Sequence, residues 1–235
     1  ASALYVNQAA GGVSDGRSWS SAFVDLQDAL AAAALDPFIT EIWVAQGTYR
    51  PDRGTGDRSA SFALPDGVAV YGGFRGDEAV LRRRDFTRYP TVLCGDLEDN
   101  DDQNWPYENS YHVVTASGSE PSAVLDGFTI RRGYADGQFD GRGHGAGVYM
   151  VDGSPTLRNC IIEQSRAGDY GGGLYATGQG GPTLIDCILR DNHARNGGGL
   201  EAVCESLTMT NCIVTGNTAS WYYATAGGIS WGGQH

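Results

Sequence analysis

The second half of the chain carries an internal repeat, which restricts the possible folds more than any other feature. Three segments align without gaps and share Thr at the second position and Cys-Ile at the sixth and seventh: residues 155–165, 182–192 and 207–217. Val124–Gly133 is a degenerate earlier copy. The cysteines of the three segments recur after 27 and 25 residues. A period of this length is typical of solenoids, propellers and other repeat folds.

A second, glycine-rich motif lies between these copies. It reads Gly145-Ala-Gly-Val-Tyr, Gly171-Gly-Gly-Leu-Tyr, Gly197-Gly-Gly-Leu-Glu and Ala226-Gly-Gly-Ile-Ser. The repeat has no stretch with helical spacing and lacks the L-x-x-L-x-L framework, which excludes TPR-like, ankyrin-like and leucine-rich repeats. The pattern instead predicts an all-β solenoid of short parallel strands. One coil would take about 25 residues, and like residues would stack about 4.8 Å apart.

The excess of glycine fits this solenoid. The chain has 35 Gly among 235 residues, which is about twice the usual share. Each coil needs tight turns at positive φ, and Gly and Asn adopt such turns at low cost. We therefore expect Asn159, Asp186 and Asn211 at one corner of the coils and the glycine triplets at another.

The five cysteines predict neither a disulfide scaffold nor a zinc site, since their number is odd and no CxxC spacing occurs. Cys160, Cys187 and Cys212 should form an interior ladder of free thiols, because parallel Cβ vectors fit the dihedral of a disulfide poorly. Cys94 and Cys204 fall in other strands and have no assigned partner.

The charged residues exclude several partners and some chemistry. The net charge is −12 and the pI is about 4.6, so an acidic surface would repel nucleic acid. All 16 basic residues are Arg, which excludes a Schiff-base or P-loop lysine. No apolar run approaches the ~18 residues that span a bilayer. The first residues, Ala1-Ser2-Ala3, are similar to the end of a signal peptide and predict secretion.

The N-terminal region predicts one short amphipathic helix before the solenoid. It covers Asp25–Leu35, with Ser20 or Ser21 as its cap and Asp36-Pro37 at its end. Its apolar face holds Phe23, Leu26, Leu30 and Ala33. Such a helix would cover the open apolar end of the first coil, where free strand edges would otherwise aggregate. A strand and a turn are predicted over 41–49, and further short strands over 68–71, 91–94, 112–115 and 124–130, with long loops at 50–61, 75–90 and 96–110.

Several motifs of the N-terminal third carry a resemblance to a known family. They are Leu4-Tyr-Val-Asn, Ser18-Trp, Asp25-Leu-Gln-Asp-Ala-Leu, Ile42-Trp-Val-Ala-Gln-Gly-Thr-Tyr and Tyr71-Gly-Gly-Phe. Together they resemble the N-terminal region of secreted right-handed parallel β-helix proteins of the pectate-lyase-like superfamily. The downstream repeats are similar to those of chlamydial polymorphic outer membrane proteins, through Gly-Gly-Leu and through Leu189-Arg-Asp-Asn192 and Val214-Thr-Gly-Asn217. These last two have Leu or Val where that family has Phe.

The resemblance implies a right-handed parallel β-helix solenoid with a short N-terminal capping helix. The chain would then be one β-helix domain over residues 1–235. Its parts would be the cap and first coil (1–48), irregular early coils with long loops (49–122), and regular coils of about 26 residues with an open C-terminal end (123–235).

Two readings of the basic residues stay open. A β-helix lyase needs a base, and without Lys the base must be Arg or His. The candidates are Arg131 and Arg132 near one strand end and Arg142 and His144 in the adjoining loop. The alternative is that these are solvated side chains on an acidic protein.

Two further segments are candidate ligand sites. An acidic loop offers oxygen ligands suited to Ca²⁺, namely Asp96, Glu98, Asp99, Asn100, Asp101 and Asp102. It is not an EF-hand, and a solvated acidic loop is the alternative. Trp221, Tyr222 and Tyr223 could stack on sugar rings or a partner, or could fold against the side of a coil. Tyr149 and Tyr175 align on consecutive coils and predict a plain aromatic stack.

The sequence as a whole favours a structural or adhesive protein outside the cell or at the cell surface. Its open C-terminal coil would allow a homo-oligomer or a fibre assembled head to tail. The alternatives are an acid-polysaccharide lyase and a carbohydrate-binding module. A lyase would need a base and carboxylates stacked on one face, and no two carboxylates share a register across the coils.

Overall fold

The computed structural model describes residues 2–101, 106–137, 141–220 and 226–232. These residues form 23 strands, one α-helix and two 3₁₀ turns, Trp19–Ser21 and Leu81–Arg83. The strands of the early coils are β1 (Ser2–Val6), β2 (Ile39–Ala45), β3 (Gly47–Tyr49), β4 (Phe62–Ala63), β5 (Ala69–Phe74), β6 (Thr91–Cys94) and β7 (Val114–Thr115). The later strands are β8 (Val124–Asp126), β9 (Phe128–Arg131), β10 (Tyr134–Ala135), β11 (Val148–Val151), β12 (Thr156–Arg158), β13 (Ile161–Glu163), β14 (Arg166–Ala167), β15 (Leu174–Gly178), β16 (Thr183–Ile185), β17 (Ile188–Arg190), β18 (His193–Ala194), β19 (Leu200–Cys204), β20 (Thr208–Thr210), β21 (Ile213–Thr215), β22 (Thr218–Ala219) and β23 (Ile229–Trp231).

Four parallel sheets run along the molecule, and each receives at most one strand from a given coil. Sheet 1 has the order β1-β2-β5-β8-β12-β16-β20, and sheet 2 has β3-β6-β9-β13-β17-β21. Sheet 3 has β10-β14-β18-β22, and sheet 4 has β4-β7-β11-β15-β19-β23. The chain therefore visits the sheets in the order 1, 2, 3, 4 and then begins the next coil. This arrangement confirms the predicted all-β solenoid of parallel strands.

The corners of the coils confirm the predicted role of Asn, Asp and Gly. Between sheets 1 and 2 lie Asn159, Asp186 and Asn211, with φ of 48°, 55° and 53°. Gly171 lies at the corner before sheet 4 at φ 62°. A Cβ there would come within 2.3 Å of the carbonyl oxygen of Leu174, so this corner accepts only Gly without displacement of the backbone.

One predicted strand is divided in two by another glycine corner at positive φ. The pattern over 124–130 predicts a single strand, whereas the structure has β8 and β9 separated by Gly127 at φ 84°. The bend moves the chain from sheet 1 to sheet 2. Apolar residues on both sides of a corner read as one run, so the pattern alone does not show the break. The strand predicted over 112–115 is likewise shorter, since β7 holds only Val114 and Thr115.

The interior is a stack of like residues, with Leu157 over Leu184 in sheet 1 and Ile162 over Leu189 in sheet 2. Cys160 and Cys187 are fully buried between these rows. Cys212 follows them in the next coil and is half-buried. All five cysteines are free thiols, and burial raises the pKa of Cys160, as expected for a thiol that serves as a small apolar group.

An amide ladder lies inside the corner between sheets 2 and 3. The side chain of Asn192 accepts from the backbone N–H of Ser165 and donates to the carbonyl of Ile162, at 3.0 and 2.9 Å. Asn217 repeats the arrangement one coil later by donating to the carbonyl of Leu189. These are the two Asn residues of the Leu189–Asn192 and Val214–Asn217 motifs, so the motif satisfies backbone groups that the turn leaves unpaired.

Helix α1 (Leu26–Leu35) closes the N-terminal end as predicted. Leu26, Ala29, Leu30 and Ala33 are buried against the first strands. The predicted cap is wrong, however. Asp25 caps the helix, with its carboxylate accepting from the N–H of Gln27 at 2.8 Å, while Ser20 and Ser21 belong to the 3₁₀ turn that precedes it. No helix among the described residues is long and apolar enough to cross a membrane.

Candidate ligand-binding face

The four basic residues proposed as a catalytic base do not form one site. Arg131 is the last residue of β9 in sheet 2, and Arg132 occupies the following corner at φ 60°. Arg142 and His144 lie near the start of sheet 4, where the guanidinium of Arg142 stands 5.3 Å from the ring centroid of Tyr111. The structure therefore distributes these residues over separate corners of the coil.

Arg132 closes the acidic loop and is not a solvated side chain. Its Nη1 lies 2.9 Å from Oδ2 of Asp96, a carboxylate that is fully buried. The backbone N–H groups of Asn100 and Asp101 donate to the same carboxylate. Arg132 thus balances a buried charge and holds the turn.

The residues proposed for Ca²⁺ separate into two groups. Asp96 and Asp101 converge with Glu108, each offering a carboxylate oxygen within 4.8 Å of the others. Glu98 instead accepts from the amide of Asn100, and Asp99 forms an ion pair with Arg50 at 2.7 Å. Asp102 lies outside the described residues. Glu108 was missed in the sequence because no regular spacing connects it with the acidic run that precedes it. In the structure the Oε1 of Glu108 is buried without a hydrogen-bond partner.

A Ca²⁺ ion in this loop stays a prediction. The three converging carboxylates have the chemistry of a hard-cation site, but the guanidinium of Arg132 already lies against two of them, at 2.9 Å from Asp96 and 3.8 Å from Asp101. An ion would have to share the loop with that internal cation.

Charges on sheet 2 pair along the axis of the solenoid. Glu163 lies between Arg131 and Arg190 in register, as expected for Arg190 from the repeat. Its Oε2 accepts from Nη2 of Arg190 at 2.6 Å. Glu163 and Arg190 are therefore paired across adjacent coils, and this ion pair runs along the stack.

The aromatic residues of sheet 4 form a compact group. Tyr149 and Tyr175 are register partners whose rings stack at 5.9 Å and 13°, which confirms the predicted stack. His112 stacks on Tyr149 at 4.6 Å, and His144 stacks on Tyr175 at 4.9 Å. Tyr170, which the sequence did not mark, lies 5.2 Å from His144 and 6.4 Å from Tyr175. We call these five residues the His–Tyr cluster.

Both imidazoles of the cluster are poor bases. Burial lowers the pKa of His112 to about 4, and burial also lowers the pKa of His144. Nδ1 of His112 lies 3.1 Å from the carbonyl oxygen of Gly145, so in the neutral ring Nδ1 carries the proton. The cluster therefore presents an uncharged aromatic surface at neutral pH.

The aromatic row ends at a buried acid. Glu201 is the register partner of Tyr175 in the next coil, and Ser230 follows it. Only 8% of Glu201 is exposed, and its Oε2 has no hydrogen-bond partner. Desolvation raises the pKa of this carboxyl, and the hydrogen bond with Ser230 opposes the shift. The glycine-rich motif contained the signal, because its third copy has Glu where the first two have Tyr.

The cluster is open to solvent on the side of Tyr170, of which 36% is exposed. Asp169 and Arg195 lie on the same side as an ion pair at 3.0 Å. The other aromatic candidates, Trp221, Tyr222 and Tyr223, lie outside the described residues.

Comparison with known proteins supports the fold. No curated protein and no solved structure matches the chain. Residues 100–233 match a family model described as the right handed beta helix region, and this span is more than half of the 235 residues. The chain therefore belongs to the right-handed β-helix family.

Proposed function

We propose that the protein is a structural or adhesive β-helix that acts outside the cell or at the cell surface. The observation that carries this proposal is the continuous stacking of four parallel sheets in register over successive coils. Each coil is held by its neighbours through hydrogen bonds and stacked side chains. Such a rod presents its corners and loops at fixed spacings, which suits the display of contact residues.

The arrangement of the basic candidates favours this role over a lyase. A lyase base must lie within hydrogen-bond reach of the proton it removes. Arg132 is engaged with Asp96, Arg131 lies on a different sheet from His144, and burial weakens His144 as a base. A lyase remains the second function to test, and a carbohydrate-binding role the third.

Self-assembly is part of the proposal and is supported by the last described coil. Leu184 and Leu189 are fully buried in the inner rows of sheets 1 and 2, and Met209 and Val214 continue these rows in the last described coil. Unlike the two leucines, Met209 and Val214 are only half-buried. Ile229 continues the inner row of sheet 4 and is 38% exposed. A further coil would cover these side chains, whether it belongs to a continuation of this chain or to a second copy.

The proposal predicts binding to cells or matrix without turnover of polysaccharide. The purified chain should bind to intact cells or to a glycan array, and absorbance near 235 nm on pectate, alginate and chondroitin should stay flat with and without Ca²⁺. Light scattering tests self-association, and cell fractionation tests the location. If the absorbance rises for the wild type and His144→Ala abolishes the rise, the protein is a lyase and the proposal is contradicted.

A further inference from the structure

We propose that Tyr170, Tyr175 and Glu201 form a binding site for an alkylammonium group. This inference goes beyond the structural or adhesive role, because it names a ligand chemistry that the rod itself does not require. The ammonium would lie against the two tyrosine rings, with the carboxylate of Glu201 behind it as the counter-charge.

The first support is the state of Glu201. A carboxylate that is 92% buried normally has a basic partner or a full set of hydrogen bonds. Among the described residues no Arg forms an ion pair with Glu201, and its Oε2 has no hydrogen-bond partner. Asp169, on the same side of the solenoid, differs because it pairs with Arg195, and Glu163 on sheet 2 likewise pairs with Arg190. A cation near Glu201 would remove this imbalance.

The second support is the direction in which the rings stack. The rings that contact Tyr175 from the preceding coil are those of Tyr149 and His144. The following coil offers Glu201 at the register position of Tyr175 and Asn196 at that of Tyr170. In the described part of that coil no ring covers the two tyrosines. Tyr175, whose opposite face stacks on Tyr149, therefore directs one ring face toward the coil that carries the carboxylate, and Tyr170 lies beside it with 36% of its surface exposed.

This geometry suits an ammonium group. The face of a tyrosine ring is electronegative and attracts a cation within about 6 Å of its centroid. Adjacent coils are about 4.8 Å apart, so a cation on these rings lies within Coulombic range of Glu201 in a site of reduced dielectric. The neutral imidazoles of His112 and His144 add no opposing charge at pH 7. An anionic ligand, in contrast, would be repelled by Glu201.

The composition of the chain indicates that the cation comes from outside. The protein has no Lys, and its net charge is −12, so its surface attracts cations in general. An ammonium group could come from a free amine or from a lysine side chain of a partner, and both present the same chemistry to the rings.

The test is a titration of the full chain in which the NMR resonances of the tyrosine rings are monitored. The probes are tetramethylammonium chloride and Nα-acetyl-lysine methylamide, with NaCl at equal ionic strength as reference. Nα,Nε-diacetyl-lysine methylamide is the uncharged counterpart of the lysine probe, and glucose tests a neutral sugar. We expect saturable binding of at least one ammonium probe and none of the diacetylated probe. Tighter binding of the lysine derivative would identify a lysine side chain as the natural ligand. Tighter binding of tetramethylammonium would identify a quaternary amine as the natural ligand.

Four variants complete the test. Glu201→Gln should weaken binding by about tenfold or more without lowering the melting temperature, because it removes a charge that burial disfavours. Tyr170→Ala should weaken binding as well, and Tyr170→Phe should retain it. Glu120→Gln, an exposed acid elsewhere, is the matched control and should bind like the wild type. The proposal is overturned if the folded protein binds neither ammonium probe, if glucose or the diacetylated probe binds equally well, or if Glu201→Gln leaves the affinity unchanged.

Discussion

At the scale of single residues, buried charges decide how the loops fold. Asp96 has no exposed surface, and its two oxygens receive two backbone N–H groups and the guanidinium of Arg132. A carboxylate in that position is stable only with all its partners present. The acidic loop is therefore organised around one inward acid, while Asp99 at its outer edge pairs with Arg50.

Replacement of Arg132 tests this organisation. Arg132→Gln should destabilise the protein by about 3 kcal/mol, because it leaves Asp96 buried without its counter-charge. Chemical denaturation at neutral pH measures the loss. Arg142→Gln is the matched control, since Arg142 is exposed, and should change stability by less than about 0.5 kcal/mol.

The same variant also tests whether the acidic loop binds Ca²⁺. If Asp96, Asp101 and Glu108 accept an ion, Ca²⁺ should raise the melting temperature of Arg132→Gln more than that of the wild type, and EGTA should reverse the effect. Glu108→Gln in that background should remove the response. Equal melting temperatures in Ca²⁺ and EGTA for both proteins would remove Ca²⁺ from the description of the loop.

A second residue-scale prediction concerns pH. The pKa of His112 is about 4 in the folded protein, below the ordinary value of about 6.5 that applies in the unfolded chain. The contribution of the neutral His112 ring to the free energy of unfolding is therefore complete above pH 6.5. It is lost as the pH falls toward 4, because the unfolded chain binds the proton more readily than the folded protein does. The loss should reach about 3 kcal/mol at most.

The measurement is the free energy of unfolding at several pH values between 4 and 7. His112→Phe, which keeps a ring against Tyr149, should flatten this part of the profile, whereas His193→Gln on sheet 3 should preserve most of it. An unchanged slope in His112→Phe would assign the acid sensitivity to other groups.

At the scale of elements, the amide ladder binds consecutive coils together. Asn192 is 1% exposed and satisfies one backbone donor and one backbone acceptor that the turn between sheets 2 and 3 leaves free. Its own amide also donates to Oδ1 of Asn217 at 3.0 Å. The ladder therefore joins three coils through side chains rather than through strand pairing.

Loss of this amide should be costly. Asn192→Leu should destabilise the protein by about 3 kcal/mol, because two buried backbone groups lose their partners. Asn192→Ser should cost less, since Ser165 holds the equivalent place in the preceding coil and hydrogen-bonds the backbone there. Thermal and chemical denaturation of the two variants measure the difference, and equal losses would show that the volume of the side chain matters more than its hydrogen bonds.

The elements also show how far the sequence predicts the structure. The repeat and its turn residues predict the coil, the corners at Asn159 and Asn211, and the register of Tyr149 with Tyr175, because stacking in a solenoid follows directly from sequence alignment. The carboxylate cluster with Glu108 and the contact of Tyr170 with His144 depend on loop paths that no repeat determines. The cap at Asp25 was missed because a 3₁₀ turn precedes the helix and takes up the serines.

At the scale of the whole molecule, stability is the sum of contacts between neighbouring coils. The N-terminal end is covered by α1, while the described coil at the other end leaves Ile229 and Trp231 exposed to 38% and 58%. Opening should therefore begin at that last coil, unless further protein covers it, and proceed toward the N-terminus.

The column of cysteines makes this order of opening visible. Thiol reagents modify only accessible thiolates. Cys212, in the last described coil, is half-buried, while Cys187 and Cys160 are fully enclosed one and two coils further in. Modification should occur at Cys212 first, then at Cys187 and then at Cys160. The natural chain thus contains three chemical reporters at one-coil intervals, and their modification rates would give the free energy of separating each coil from the next.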